Sequence, residues 1–440
     1  MLKFDIHHRQ GLARVGTIHT PHGDIETPAF VGAATRAVVK ALTMKEMNEL
    51  GSQAILANTY HLILRPGTDL IEEAGGLAAF NSWHKPTFTD SGGFQIFSLP
   101  NVKITEEGVK FKSHIDGRNF EMTPESSMQA QWAIGADIHM AFDHLAKSES
   151  HADMEAAMHR THRWLDRCVD EHLRLAESAT NGQFETASVG ESDRTTFSEE
   201  GLEPGKPRMS ATNGRFETIR DNGSEIASEP RNDGRERSGS RIAHSSANRR
   251  EQYLYAVVQG GTFNDLRAES AKYCASQPVD GFGIGGVFTA DGMAEMLQIV
   301  NSILPEDKPR HLLGMGQEPI DLFVGAEFGC DTFDCVGPTR MARNGSLYTK
   351  DGRINIKNAK YTHDFAPLES DCKCECCQNY SRAYLHHLFK TDEITAKVLA
   401  SIHNEYFVVN VVNCIRKALH DNAFDEYKNS FLSCYYNKTS

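Results

Sequence analysis

Short apolar runs that end in glycine or a polar residue recur along the chain, and each is followed by an interval long enough to hold a helix. In order they cover 29–34, 54–60, 87–91, 138–143, 254–259, 281–286, 311–315 and 332–336. Eight strand-like runs alternating with helix-length intervals such as 293–304 predict an α/β protein built on a (β/α)8 TIM barrel. A doubly wound open sheet is the competing architecture. It finds no support in a Gly-rich dinucleotide fingerprint after the first run, and no phosphate loop of the Gly-x4-Gly-Lys type is present either.

The pattern breaks between about Ala176 and Arg250. There the chain turns to Ser, Gly, Asn, Glu and Arg, with three Phe and no Trp, Tyr or Cys. Such a segment buries too little apolar area to offset its ordering entropy, so a low-complexity, disordered insertion is expected. Within it ATNGQFET at 179–186 recurs as ATNGRFET at 211–218, one copy short of the three that a repeat array needs. The expected organisation is therefore 1–175 as the first part of the barrel, 176–250 as the insertion and 251–365 as the second part. A zinc-binding, helical C-terminal subdomain over 366–440 completes it.

Composition narrows the function classes. Forty per cent hydrophobic residues, with three Trp and twenty-three Phe, can fill a sizeable core. No apolar run approaches the roughly twenty residues of a membrane span, and the start of the chain lacks a signal-like stretch, so a cytoplasmic protein with no membrane partner is expected. The net charge of −13 excludes a generalised nucleic-acid-coating surface. The insertion, with thirteen acidic and eleven basic residues, accounts for only −2 of it. Any RNA contact has to be local, and Arg340, Arg343, Lys350, Arg353, Lys357, Lys360 and Arg382 form the candidate patch, each with solvated surface charge as its ordinary reading.

Four of the ten cysteines crowd into 372–377, a spacing suited to metal thiolates in a reducing compartment. Cys372, Cys374 and Cys377 supply three ligands on a tight loop, and His403 can close a tetrahedron, with His386 and His387 as rivals. A closed four-ligand set is structural, leaving no open position for water. Asn58, Asp90, Asp143, Gln259, Gly286 and Asp334 each stand at or near the end of an apolar run. Barrel active sites lie at those ends, although a lone strand-end Asp or Asn is commonly a helix cap. Asp90 and Asp334 are the carboxylate pair that chemistry at a glycosidic bond requires, one as nucleophile and one to manage protons.

At these residues the chain resembles the bacterial tRNA-guanine transglycosylases. Thr89-Asp-Ser-Gly-Gly-Phe-Gln95, Phe142-Asp143, Val258-Gln-Gly-Gly261, Ile284-Gly-Gly286, Leu313-Gly-Met-Gly316, Phe333-Asp-Cys-Val-Gly-Pro-Thr-Arg340, Arg343-Asn-Gly345 and the Cys-x-Cys-x2-Cys…His set follow that family's order and spacing, nearly end to end outside the insertion. The resemblance implies exchange of the wobble guanine of a tRNA for the deazaguanine base 7-aminomethyl-7-deazaguanine, through a covalent aspartyl–ribosyl intermediate, in queuosine biosynthesis. It implies Asp334 as nucleophile and Asp90 as general acid/base, oriented by Asn58. Asp143 and Gln259 would read the base edge, Gly286 would offer its backbone N–H, and Ser91, Gly92, Gly93 and Phe94 would line or stack on the base. Met315, Gly316, Gln317, Glu318, Pro319, Ile320 and Asp321 would contact the tRNA backbone. Thr339, Arg340, Met341, Ala342 and Arg343 would recognise bases around the wobble position, in keeping with extraction of a base from its stack. One structural Zn2+ per subunit is implied, as is a homodimer with Phe80, Tyr380, Tyr384 and His387 in its aromatic interface, where core packing is the alternative for those four.

Two positions depart from the family pattern. Leu145 stands where a Cys commonly follows the base-reading Asp, and Val287-Phe288-Thr289 replaces a Leu-Ala-Val run. Both border the pocket for the incoming base's substituent, so direct insertion of free queuine is the second reading. An archaeal-type enzyme with an added C-terminal domain is not expected with thirty-seven residues after His403. A non-catalytic RNA-binding partner subunit would be expected to lack Asp90 or Asp334, and a zinc hydrolase needs an open metal position.

Overall fold

The computed structural model describes residues 1–146, 148, 150–180, 251–285 and 292–436. Eight strands form a closed parallel barrel: β1 (Ala29–Ala33), β2 (Ala54–Asn58), β3 (Thr87–Asp90), β4 (Ile138–Met140), β5 (Tyr253–Val258), β6 (Gly281–Ile284), β7 (Arg310–Leu312) and β8 (Thr332–Cys335). All eight correspond to the strand-like runs. β8 closes on β1 with Asp334 opposite Val31, and β2 meets β3 with Asn58 opposite Asp90. Every residue of β1, β2, β6, β7 and β8 is buried. Strands covered on both faces need apolar residues on both, which is why the sequence shows continuous runs there rather than alternation.

The helices that matter for the site are α1 (Met44–Glu49), α2 (Gly93–Phe97), α3 (Pro124–Ile134), α4 (His151–Thr180), α5 (Asn264–Ser276), α6 (Met293–Ile303), α7 (Pro319–Glu327), α8 (Gly337–Arg343), α9 (Ile394–His420) and α10 (Phe424–Tyr436). α4 carries helix through 176–180. The rest of the segment read as an insertion, 181–250, lies outside the described residues.

Two antiparallel sheets were not legible as strands. One is N-terminal, formed by Lys3–Gln10, Ala13–Thr20 and Gly23–Thr27, and the other is formed by Lys103–Ile104, Val109–Lys112 and Asn119–Met122. The first carries several His and Arg, and its two outer strands are largely uncovered, so its apolar signal is weak. Leu2, just ahead of this sheet, and Phe4, Ile18 and Ile25 within it pack with Val31, Leu56, Phe88, Met140, Tyr255 and Val257 of the barrel strands. Arg14 adds an ion pair to Asp331, just before β8, with both side chains almost wholly buried. The N-terminal sheet therefore plugs the mouth where the strands begin, and the opposite mouth is left for chemistry.

One expectation needs correction. α9 is 27 residues long and apolar enough to cross a membrane by length and composition, contrary to the reading that no run comes close. Most of its apolar window is buried inside the protein. The composition follows from its packing, since Leu399, Ile402, Val408, Val412 and Ile415 all belong to the core.

Candidate active site

Asp90 ends β3 and its carboxylate is gripped from three sides. Asn58 Nδ2 donates to Oδ2, while the backbone N–H groups of Thr59 and Gly92 donate to Oδ1 at 3.0 and 3.2 Å. Asn58 also accepts from His61 N at 3.0 Å, so it is both the N-cap of helix Thr59–Leu64 and the holder of Asp90. Burial raises the Asp90 pKa to about 7 against the opposing donors, and the negative charge of Asp334 pushes in the same direction. The two carboxylates, with β1 and β2 between their strands around the barrel, thus lie within electrostatic reach of each other.

Asp334 sits in β8 with its side chain 12% exposed. Gly314 N donates to its Oδ1 at 2.8 Å, and His311 Nε2 lies 3.1 Å from the same oxygen. The His311 ring is itself fixed through Nδ1 to Thr332 Oγ1 at 2.8 Å and by stacking on Phe88. Both partners take Oδ1, so among the described residues Oδ2 carries no hydrogen bond. One oxygen anchors the group and the other is presented.

A second polar cluster lies beside the first. Ser91 Oγ donates to Asp143 Oδ1 at 2.8 Å, and Gln259 Nε2 donates to Asp143 Oδ2 at 2.6 Å. Burial raises the Asp143 pKa while those two donors oppose the shift. Gly92 caps α2 with φ +79°, a conformation that side chains disfavour. A Cβ on Gly93 would come within 2.9 Å of the Asp143 carbonyl oxygen and 3.2 Å of its Oδ1. The glycine pair therefore lets backbone lie directly against the polar cluster. Phe94, the next residue, projects outward at 65% exposure, free to stack. Leu145 is partly buried against the core. Gly286 and the departing residues Val287, Phe288 and Thr289 lie outside the described residues.

The rim is more mixed. Gly316 takes φ +119°, and Met315 and Ile320 are partly exposed, but Asp321 is buried and caps α7 through Glu318 N, with Pro319 also buried. Glu318 pairs with Arg353 at 3.0 Å, and Gln317 gives its carbonyl to Tyr348. In α8, Thr339 and Ala342 face inward, while Arg340 is exposed and Met341 and Arg343 are half-buried. The basic patch read along the C-terminal stretch is divided. Lys350, Arg353 and Arg382 are tied to Asp371, Glu318 and Asp364. Arg340 and Arg343 instead join Arg36 and Lys40 from the loop after β1. Burial and then the charges of Arg343, Arg36 and Arg340 push the Lys40 ammonium pKa down. Burial, Arg36, His114 and Lys40 likewise lower His61 to about 4. None of these four cations makes an ion pair among the described residues. Sequence reading missed Arg36, Lys40 and His61; their place just after β1 and β2 was the available signal.

The C-terminal ligand set is assembled. One ligand atom each from Cys372, Cys374, Cys377 and His403 lies within 4.8 Å of the others. The sulfurs stand 3.9, 3.5 and 3.3 Å from His403 Nδ1. A tetrahedral ion with standard metal–sulfur and metal–nitrogen bonds needs about 3.6 Å there, so the residues fit a metal. His403 Nε2 lies 2.7 Å from the Tyr348 carbonyl, which leaves the Nδ1 lone pair for the ion. His386 is engaged with Ile356 O at 2.8 Å instead. Cys376, fully buried, stands outside the set. Tyr380 stacks on Tyr384 at 5.4 Å, and Tyr384, His387 and, on helix Leu77–Asn81, Phe80 are exposed rather than in the core.

A family model described as queuine tRNA-ribosyltransferase matches residues 9–193 and 228–437. Among curated relatives, a queuine tRNA-ribosyltransferase of Herpetosiphon aurantiacus is 40% identical over 98% of this chain and 92% of its own length. Proteins of that name from Desulforamulus reducens and Halothermothrix orenii are 38% and 37% identical, covering 99% and 100% of this chain and 98% and 99% of their own. With two strand-end carboxylates within electrostatic reach of each other, a polar cluster beside Asp90 and a thiolate-rich metal set in the C-terminal part, the chain belongs to the queuine tRNA-ribosyltransferase family.

Proposed function

We propose that this enzyme is a tRNA-guanine transglycosylase that replaces the wobble guanine with 7-aminomethyl-7-deazaguanine. Asp334 Oδ2 bonds to the ribose anomeric carbon as the bond to guanine N9 breaks, and Asp90 gives its proton to the departing base. The incoming base then surrenders its N9 proton to Asp90 and attacks the same carbon, releasing Asp334. Glycosidic linkage is conserved and no redox step is needed. Asp143 and Gln259 read the base edge, Ser91, Gly92 and Gly93 floor the pocket, and Phe94 stacks on the base. Gly286, outside the described residues, keeps the role that the resemblance implies, a backbone N–H offered to the base.

The observation that carries this reading is the contrast between the two carboxylates. Asp90, with a pKa of about 7, can both give and take a proton near neutrality, whereas Asp334 offers an oxygen with no hydrogen-bond partner among the described residues. RNA contact is assigned to Met315–Asp321, to Thr339–Arg343 and to the adjacent cations Arg36 and Lys40. The metal is read as one structural zinc, the assembly as a homodimer through the exposed aromatics, and the setting as cytoplasmic. Free queuine as incoming base is kept as a second reading because Leu145 borders the pocket.

The test supplies tRNA labelled in its wobble guanine together with the aminomethyl base, queuine or the cyano base, each separately. Release of label with the aminomethyl base is expected, and release with queuine alone would select the second reading. Asp334→Ala should abolish an enzyme–tRNA adduct that resists denaturation. An adduct that persists would move the nucleophile elsewhere.

A further inference from the structure

We infer that the metal site positions the nucleophile's loop, with Tyr348 and Asn404 as positioning residues; this rests on the reading of Asp334 as nucleophile. Two hydrogen-bond routes leave the metal helix α9 for the two chain segments that hold Asp334. The first starts at the ligand His403, whose Nε2 binds the Tyr348 carbonyl at 2.7 Å. The Tyr348 hydroxyl in turn donates to Gln317 O at 2.5 Å. Gln317 lies three residues beyond Gly314, whose N–H grips Asp334 Oδ1. The second starts at Asn404, next to the ligand. Its Oδ1 accepts from Tyr348 N at 3.1 Å, and its Nδ2 donates to Pro338 O at 3.0 Å and Ser346 O at 3.1 Å. Pro338 opens α8, directly after the nucleophile's strand.

The two segments are also pressed together. A Cβ on Gly337 would come within 2.8 Å of Gln317 Cγ, so the loop after β7 lies flat on the start of α8. His403, Asn404 and Tyr348 are all fully buried, and Tyr348 is stacked on Phe407 of α9 at 5.1 Å, so the links at the root of both routes are not exchanged for water without cost, and the part-buried Tyr348–Gln317 bond carries the first of them out to the loop. Within the loop Gly314 and Gly316 are both at positive φ, and its far end is tied by Asp321 to Glu318 N and by Glu318 to Arg353. A nucleophile must be held to within a fraction of an ångström of its productive position, and among the described residues its carboxylate takes hydrogen bonds from Gly314 and His311 alone. The metal fixes His403, His403 fixes Tyr348, and Tyr348 fixes the loop that aims Asp334.

The experiment uses the metal-replete full chain. Tyr348→Phe keeps the ring and removes only the hydroxyl, and it should retain one metal per chain. Single-turnover adduct formation should slow roughly fivefold with the KM for tRNA unchanged. Tyr406→Phe, beside the metal set but unlinked to the loop, should leave the rate as it is. An unchanged rate in Tyr348→Phe, or an equal loss in Tyr406→Phe, overturns the inference. Hydrogen exchange on the wild type before and after chelation gives a second readout. Amides of 314–317 should lose protection while those of 254–257 keep theirs, and zinc should restore it; uniform change or none overturns the inference. If the wild type forms no adduct at all, the transglycosylase reading fails, and the exchange measurement still decides the positioning claim.

Discussion

At the scale of single residues, the Asp90 carboxyl is the group whose environment most changes its chemistry. Its pKa of about 7 stands above the ordinary value of 3.8, so the folded protein holds the proton more tightly than the unfolded chain does. Ionising it is therefore a cost borne by the folded state, absent below about pH 4 and growing until pH passes 7. Asp90→Asn should melt at the same temperature as wild type at pH 4 and at a higher one at pH 8, while exchange activity falls by about 10²–10⁴. A wild type that is the more stable of the two at pH 8 would contradict the burial argument. Asn58→Ala removes a donor to the ionised form, so the inflection of the pH–rate profile near 7 should move upward. A downward shift would mean that Asn58 favours the neutral acid.

At the scale of elements, the turn from β3 into α2 decides what can enter. Gly92 at positive φ reverses the chain, and Gly93 brings α2 against Asp143 with no room for a methyl group. Gly93→Ala should lower the melting temperature, because the added methyl meets the Asp143 backbone, and should weaken base binding by about 2 kcal/mol. Calorimetric titration with guanine measures this. Undiminished affinity would place the base away from α2. The turn after β2 shows how capping and function coincide: Asn58 caps helix Thr59–Leu64 and holds Asp90 with the two ends of one amide. A helix cap and a site residue were competing readings of that position, and the amide satisfies both.

At the scale of the whole molecule, the barrel is closed at one end by the N-terminal sheet, and α9 backs β1 and α8 while carrying the metal ligand His403. Removing one ligand exposes a buried, thiol-lined gap between the loop at 372–377 and that helix. Cys374→Ser should lower metal content and thermal stability together, by on the order of 3 kcal/mol, and wild-type protein treated with chelator should show the same loss. Full stability in metal-free protein would contradict a structural role.

Much of this was legible before the structure. The eight buried strands announce themselves because a parallel sheet covered on both faces needs continuous apolar runs, and the polar residues that end them mark one mouth of the barrel. The thiolate spacing and the pair Asp90 and Asp334 are likewise written in residue type and order. What local pattern could not determine is anything that depends on distant segments meeting. The rise in the Asp90 pKa comes from burial by its surroundings, with the charge of Asp334 adding to it, and no window of sequence contains both carboxylates. Arg36 and Lys40 join Arg340 and Arg343 only because β1 is the neighbour of β8 across the closure. The apolar α9 is a core helix rather than a span because the barrel supplies the apolar surroundings. Sequence by itself determined which side chains were available; closure of the barrel decided which of them share a site, since electrostatics and packing act through space and not along the chain.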